Sequence, residues 1–113
     1  MSDKTVKKVS SQGSPKGALG QKYLATGVAM GMRLWEDVKA GEKQEAHARD
    51  YETIGYVIKG KAELHIEGQK VLLEPGDSWI VPKGAEHYYR ITEPFTAVEV
   101  THPPAHIHDR DAP

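Results

Sequence analysis

Six histidines, a scatter of aromatic rings and no cysteine define what chemistry this 113-residue chain can draw on. Without cysteine there are no disulfides, no thiol nucleophile and no thiolate metal site. Imidazole is then the natural metal-binding and proton-carrying group. Arg49 stands two residues past His47. Its guanidinium is a fork for a carboxylate or phosphate, or else a rim partner for Glu45, Asp50 or Glu52. The run from His102 through Pro103, Pro104, His106 and His108 holds three histidines in seven residues, a composition that can bind metal. Its prolines exclude a helix, so the i, i+4 geometry of a helical zinc site is unavailable to His102 and His106. A stiffened tail lying over the folded domain or a neighbouring subunit is the plainer reading. No nucleophile with its base, no Gly-rich phosphate loop and no acid pair of readable spacing is present.

Composition narrows the partners. Fifteen basic against sixteen acidic side chains leave a net charge of −1. Nucleic acid needs a concentrated positive face, which this balance does not supply. Lys4, Lys7, Lys8, Lys16 and Lys22 are spread thinly enough to read as a solvated arm. No apolar run approaches the roughly 20 residues of a membrane helix, and the N-terminus lacks the apolar stretch of a secretory signal. The expectation is a cytoplasmic protein with neither membrane nor nucleic acid as partner.

The groups above must be positioned by strands. Val28, Met30, Met32 and Leu34 alternate with Ala29, Gly31, Arg33 and Trp35, the period of a half-buried strand with the methionines in the core. Ile54 to Ile58 is apolar on both faces. Ala62, Leu64 and Ile66 alternate with Lys61, Glu63, His65 and Glu67, which leaves His65 exposed. Further strands fit 71–73, 78–81, 87–91 and 95–101, with Gly68 and Pro75-Gly76-Asp77 as turns. Seven or eight short strands and no helical period mean an all-β sandwich or barrel. One face of Ile54 to Ile58 remains over once a barrel is filled, which predicts a homodimer. The aromatic residues Trp35, Tyr51, Tyr56, Trp79, Tyr88 and Tyr89 are core, interface or ligand-pocket walls.

Two stretches resemble the paired motifs of the cupin superfamily. Gly41, His47 and Gly60 keep the spacing of the first motif, G-x5-H-x-H-x3,4-E-x6-G; Gly76, Pro82, Gly84 and His87 keep that of the second, G-x5-P-x-G-x2-H-x3-N. The motifs span 41 to 91, and flanking strands extend the resemblance to roughly 28 to 101. It implies a single double-stranded β-helix (jelly-roll) barrel, placed over 22–101; composition marks 1–21 as a flexible arm and 102–113 as a His- and Pro-containing tail. In metal-bearing members, two histidines and a glutamate of the first motif and the histidine of the second surround one divalent ion, a set suited to Fe, Mn, Ni, Cu or Zn.

Here the second histidine is Arg49, the glutamate falls on Thr53 with Glu52 one residue out of register, and the terminal asparagine is Ile91. A one-residue shift turns a strand side chain to the opposite face, so Glu52 supplies a carboxylate only through a bulge. The altered set weighs against a bound metal, and no organic cofactor is indicated. Two functions follow from the resemblance. One is a barrel whose mouth binds a small polar or anionic molecule through Arg49, His47 and His87, with Tyr56 as a wall. The other is a metal-dependent enzyme, dioxygenase- or isomerase-like, with His47, His87 and Glu52 or a tail histidine as ligands.

Overall fold

The structure, a computed structural model, describes residues 6–17, 19–41 and 46–105. Among these residues six strands carry the fold: β1 (Lys22–Thr26), β2 (Gly31–Val38), β3 (Glu52–Ile66), β4 (Gln69–Leu73), β5 (Ser78–Val81) and β6 (His87–His102). All pair antiparallel in the order β1-β2-β6-β3-β4, and β5 also pairs with β3.

Two strands are twice the expected length. The runs read as 54–58 and 62–66 are one strand, β3, and those read as 87–91 and 95–101 are one strand, β6. The first half of β3 pairs with β5 and the end of β6, and its second half with β4 and the start of β6. Between the halves the register slips repeatedly, from Val57 to Ala62. Gly60 sits at this corner with a φ of +84°, and a Cβ there would collide with the Pro94 carbonyl. Glycine and proline therefore bend both strands without ending them, and two halves of a jelly roll form from continuous chain.

The core lies between the halves, built from Val57, Leu64, Leu73, Trp79, Val81, Ile91, Phe95 and Ala97. Gln69–Leu73 closes on β3 through the turn at Glu67-Gly68. Pro15 and Gly17 are tied to the barrel, since the Tyr23 amide donates to the Pro15 carbonyl and Gly17 pairs with a fully buried Gln21. At the other end Ala105 is buried, its amide donating to Thr101 Oγ1 at 2.9 Å. His106 and His108 lie outside the described residues. No helix among the described residues is long and apolar enough to cross a membrane.

The alternation of β2 runs opposite to expectation. Met30 and Met32 are 53% and 38% exposed, whereas Arg33 is 7% exposed and faces inward. On β6 the same inversion puts Glu99 inside, between the outward-facing Val98 and Val100. Apolar periodicity identified β2 as a strand but assigned its faces backwards, because this part of the interior is polar and the outer face apolar.

Candidate functional site

Strand register gathers the interior groups into one row. Trp79 of β5 lies opposite Gly55 of β3, Gly55 opposite Glu99 of β6, Glu99 opposite Arg33 of β2, and Arg33 opposite Tyr23 of β1. Because side chains alternate, residues paired in this way share the inner face. The missing side chain of Gly55 is what admits the Trp79 ring, which fills that space.

Arg33 and Glu99 form a buried ion pair, Nε to Oε1 at 2.7 Å. Trp35 Nε1 donates to the same oxygen at 2.6 Å, and Arg33 Nη1 donates to the Tyr51 hydroxyl at 3.1 Å. The guanidinium also lies 5.3 Å from the ring centres of both Trp35 and Tyr51, so it is held by a carboxylate and two π faces at once. Trp79 Nε1 donates to Tyr89 Oη at 3.0 Å and bridges the two halves. Burial, together with the nearby Glu99 carboxylate, pushes the Tyr89 phenol well above the ordinary value of 10.0, so it stays protonated and can donate.

Above this network sits the histidine pair. His47 and His87 are directly opposite on adjacent segments, each amide donating to the other's carbonyl at 2.9 Å. The Gly84 amide donates to the Arg49 carbonyl at 2.9 Å, which continues the pairing toward β3. Glycine at 84 takes a φ of +82°, a turn that suits few other residues and that returns the chain to face 47–49. His87 Nδ1 lies 3.0 Å from the Ala85 carbonyl, which can only accept. Nδ1 therefore carries the proton, and Nε2 is the atom left for a ligand. The ring meets Tyr89 edge to face at 5.7 Å. A concavity of about 380 Å³ opens beside His87, lined also by Ala46, Ile66, Gly68, Lys70 and Glu86.

His47, Arg49 and His87 are thus on neighbouring segments at one end of the barrel, all half-buried. Glu52 and Tyr56 are not with them. Both lie on the outer face of β3, exposed, with Glu52 opposite His102 and Tyr56 opposite Val98. The inner position belongs to Thr53, which is buried, and no bulge re-aims Glu52. Among the described residues no three His, Cys, Asp or Glu side chains stand close enough to hold a metal ion. His47 and His87, with Arg49 and Thr53 at the other two motif positions, do not make up the four-ligand set of metal-bearing cupins.

His65 is not simply exposed. It stacks on Tyr88 at 4.5 Å with the planes 2° apart, and its Nε2 lies 3.1 Å from Glu63 Oε1. That hydrogen bond, helped by Arg90, holds the Glu63 carboxyl below its ordinary value of 4.5. Sequence reasoning missed Arg33 and Glu99 altogether. The available signal was a lone charge between apolar neighbours on each strand, Met-Arg-Leu at 32–34 and Val-Glu-Val at 98–100.

A jelly roll of bent, shared strands, with glycine turns aiming a histidine pair at one end, defines a cupin-type barrel. The chain belongs to the cupin domain family, whose pattern matches residues 34–103. Among curated proteins it is 39% identical over 61 residues to an uncharacterized protein of Aquifex aeolicus, covering 54% of this chain and 50% of that one. The chain thus spans about half the length of that relative. It is 27% identical over 97 residues to an L-ectoine synthase of Wolinella succinogenes, covering 80% and 74% of the two chains. Among solved structures, KdgF from Halomonas sp. superposes with a TM-score of 0.77 at 22% identity, covering 88% of this chain and 94% of that one. An RmlC-like cupin from Shewanella frigidimarina gives 0.76 at 17% identity, covering 93% and 96%.

Proposed function

We propose that this cupin binds a small polar organic anion at the barrel mouth, through His47, His87 and Arg49. The observation that carries the reading is the reciprocal His47–His87 pair, with Arg49 on the same segment. Backbone pairing brings these three nitrogen-bearing residues to one end of the barrel, while the carboxylate that family resemblance would add, Glu52, lies on the outer face. A guanidinium favours a carboxylate or phosphate and repels a cation. With Nδ1 committed to Ala85, Nε2 is the polar atom that His87 keeps for the ligand. The ring of Tyr89 meets His87 edge to face, is itself held by Trp79, and supplies an apolar neighbour for a ligand.

A panel of small carboxylates and phosphate esters, scored by melting temperature and calorimetry, tests this. The expected result is at least one saturable binder whose effect disappears in His47→Ala/His87→Ala and weakens in Arg49→Met. The competing reading is a metal-dependent enzyme, supported by the same histidine pair and by the similarity to an L-ectoine synthase. Near-stoichiometric iron, manganese, nickel, copper or zinc in untagged protein, lost in the double variant, would replace the anion reading with that one.

A further inference from the structure

We propose, resting on the anion site read at His47, His87 and Arg49, that its ligand is an amino acid and that Glu67, Glu86 and Tyr88 seat the ammonium group. The concavity of about 380 Å³ beside His87 has a second wall, made by His65, Glu67, Lys70, Glu86 and Tyr88. Its volume is near the small end for ligand pockets and suits a molecule of amino-acid size.

Strand register places the acidic pair. Ile66 lies opposite His87, so the next pair outward is Glu67 and Glu86, and the Glu67 amide donates to the Glu86 carbonyl at 3.2 Å. Like charges set opposite one another on neighbouring strands repel. Most carboxylates among the described residues are ion-paired, yet neither Glu67 nor Glu86 pairs with a described cation. Lys70 on the same wall balances one of the two charges, and the other is left for one ammonium ion.

Glu67 is also a poor choice for the turn it occupies. With Gly68 it makes the two-residue hairpin turn between β3 and β4, both residues at positive φ, +45° and +78°. Asparagine, aspartate or glycine takes that first position with less strain. A long acidic side chain kept there against the backbone preference is accounted for by what its carboxylate meets.

The rings complete the seat. Tyr88 stacks on His65 at 4.5 Å, and Glu63 fixes His65 through Nε2 at 3.1 Å, so this part of the wall is set before a ligand arrives. A tyrosine ring attracts an ammonium ion through its π electrons, and carboxylates accept the ammonium hydrogens. His87 keeps Nε2 for the ligand carboxylate, while its chain neighbour Glu86 serves the amine. One residue of strand advances about 3.4 Å, so the two charges of the ligand are separated by only a few carbons.

The deciding experiment is calorimetric titration of the untagged full chain with glycine, β-alanine and γ-aminobutyrate, each against the acid lacking its amine (acetate, propionate and butyrate). At least one amino acid should bind about tenfold tighter than its partner acid, the gain of one exposed ion pair and one ring contact. Butylamine, which has no carboxylate, should bind more weakly than γ-aminobutyrate. Glu67→Asn/Glu86→Gln should bring the matched affinities together, and asparagine suits the turn, so this variant should fold. Glu52→Gln removes a charge on the outer face and should keep the preference. Equal affinities in the parent protein, a preference that survives Glu67→Asn/Glu86→Gln, or one lost in Glu52→Gln overturns the inference and leaves the anion site standing. The matched comparison in the parent protein needs no variant. Failure of every acid to bind, with or without an amine, overturns both.

Discussion

Gly55→Ala is the sharpest test of how the interior is built. The position is an ordinary strand residue with no positive φ, so alanine suits the backbone. The new methyl, however, would lie 2.7 Å from Trp79 Cζ3 and closer still to Cη2 and Cζ2, against about 3.5–4.0 Å for normal carbon contact. Trp79 must withdraw, and with it go the Nε1 bond to Tyr89 and the packing on Phe95. Overpacking of this kind costs about 1–3 kcal/mol, and the lost hydrogen bond about 1 kcal/mol more. Alanine's smaller entropy loss returns about 0.5–1 kcal/mol. The net expectation is a destabilisation of about 2–3 kcal/mol, or roughly 10–15 °C in melting temperature. Urea and thermal unfolding followed by circular dichroism measure it. Trp79→Phe in the same chain removes the colliding ring atoms, so the double variant should be more stable than the sum of the singles by about 1 kcal/mol or more. A Gly55→Ala protein within about 0.5 kcal/mol of its parent, or additive single effects, would refute the reasoning.

Other consequences follow from the buried network. Arg33→Met strands the Glu99 carboxylate in the interior and should cost about 3–5 kcal/mol in urea unfolding; Arg33→Met/Glu99→Leu should recover most of that. Equal losses in the single and double variants would show that the ion pair is not what matters there. Tyr89 titrates above its ordinary 10.0 in the folded chain, so folded protein keeps a proton that the unfolded chain releases. Its contribution is full below about pH 10 and is lost as pH rises beyond it. Tyr89→Phe should therefore flatten the alkaline fall of the urea midpoint, and an unchanged slope would count against the assignment.

The parts of the fold that depend on local chemistry were legible in the sequence. Gly41, Gly76, Pro82 and Gly84 announce turns wherever they occur, and they led correctly to the cupin family; the fold then sets His47 opposite His87. What could not be read was which strand face is inside. Met30 and Met32 were assigned to the core by their hydrophobicity, a rule that holds when one face of a sheet meets water. It reverses where the interior holds an ion pair whose halves lie 66 residues apart, since neither Arg33 nor Glu99 explains itself alone. Tyr56 fails for the same reason, because its place opposite Val98 is a matter of register. The long strands were divided because Gly60 and Pro94 normally end a strand; here they only bend it.

That corner also bears on how the chain acquires its structure. β3 and β6 each run through both halves, so neither half can come apart without disrupting strands that the other needs. Partial opening of one half is then disfavoured, and amide exchange in β4 and β5 should report a common global event. The pairing of β3 with β6 joins residues as distant as Glu52 and His102 and closes only after most of the chain is available. Folding should therefore be slow for a domain of this size, and any chain interrupted before β6 should lack a stable half to fall back on.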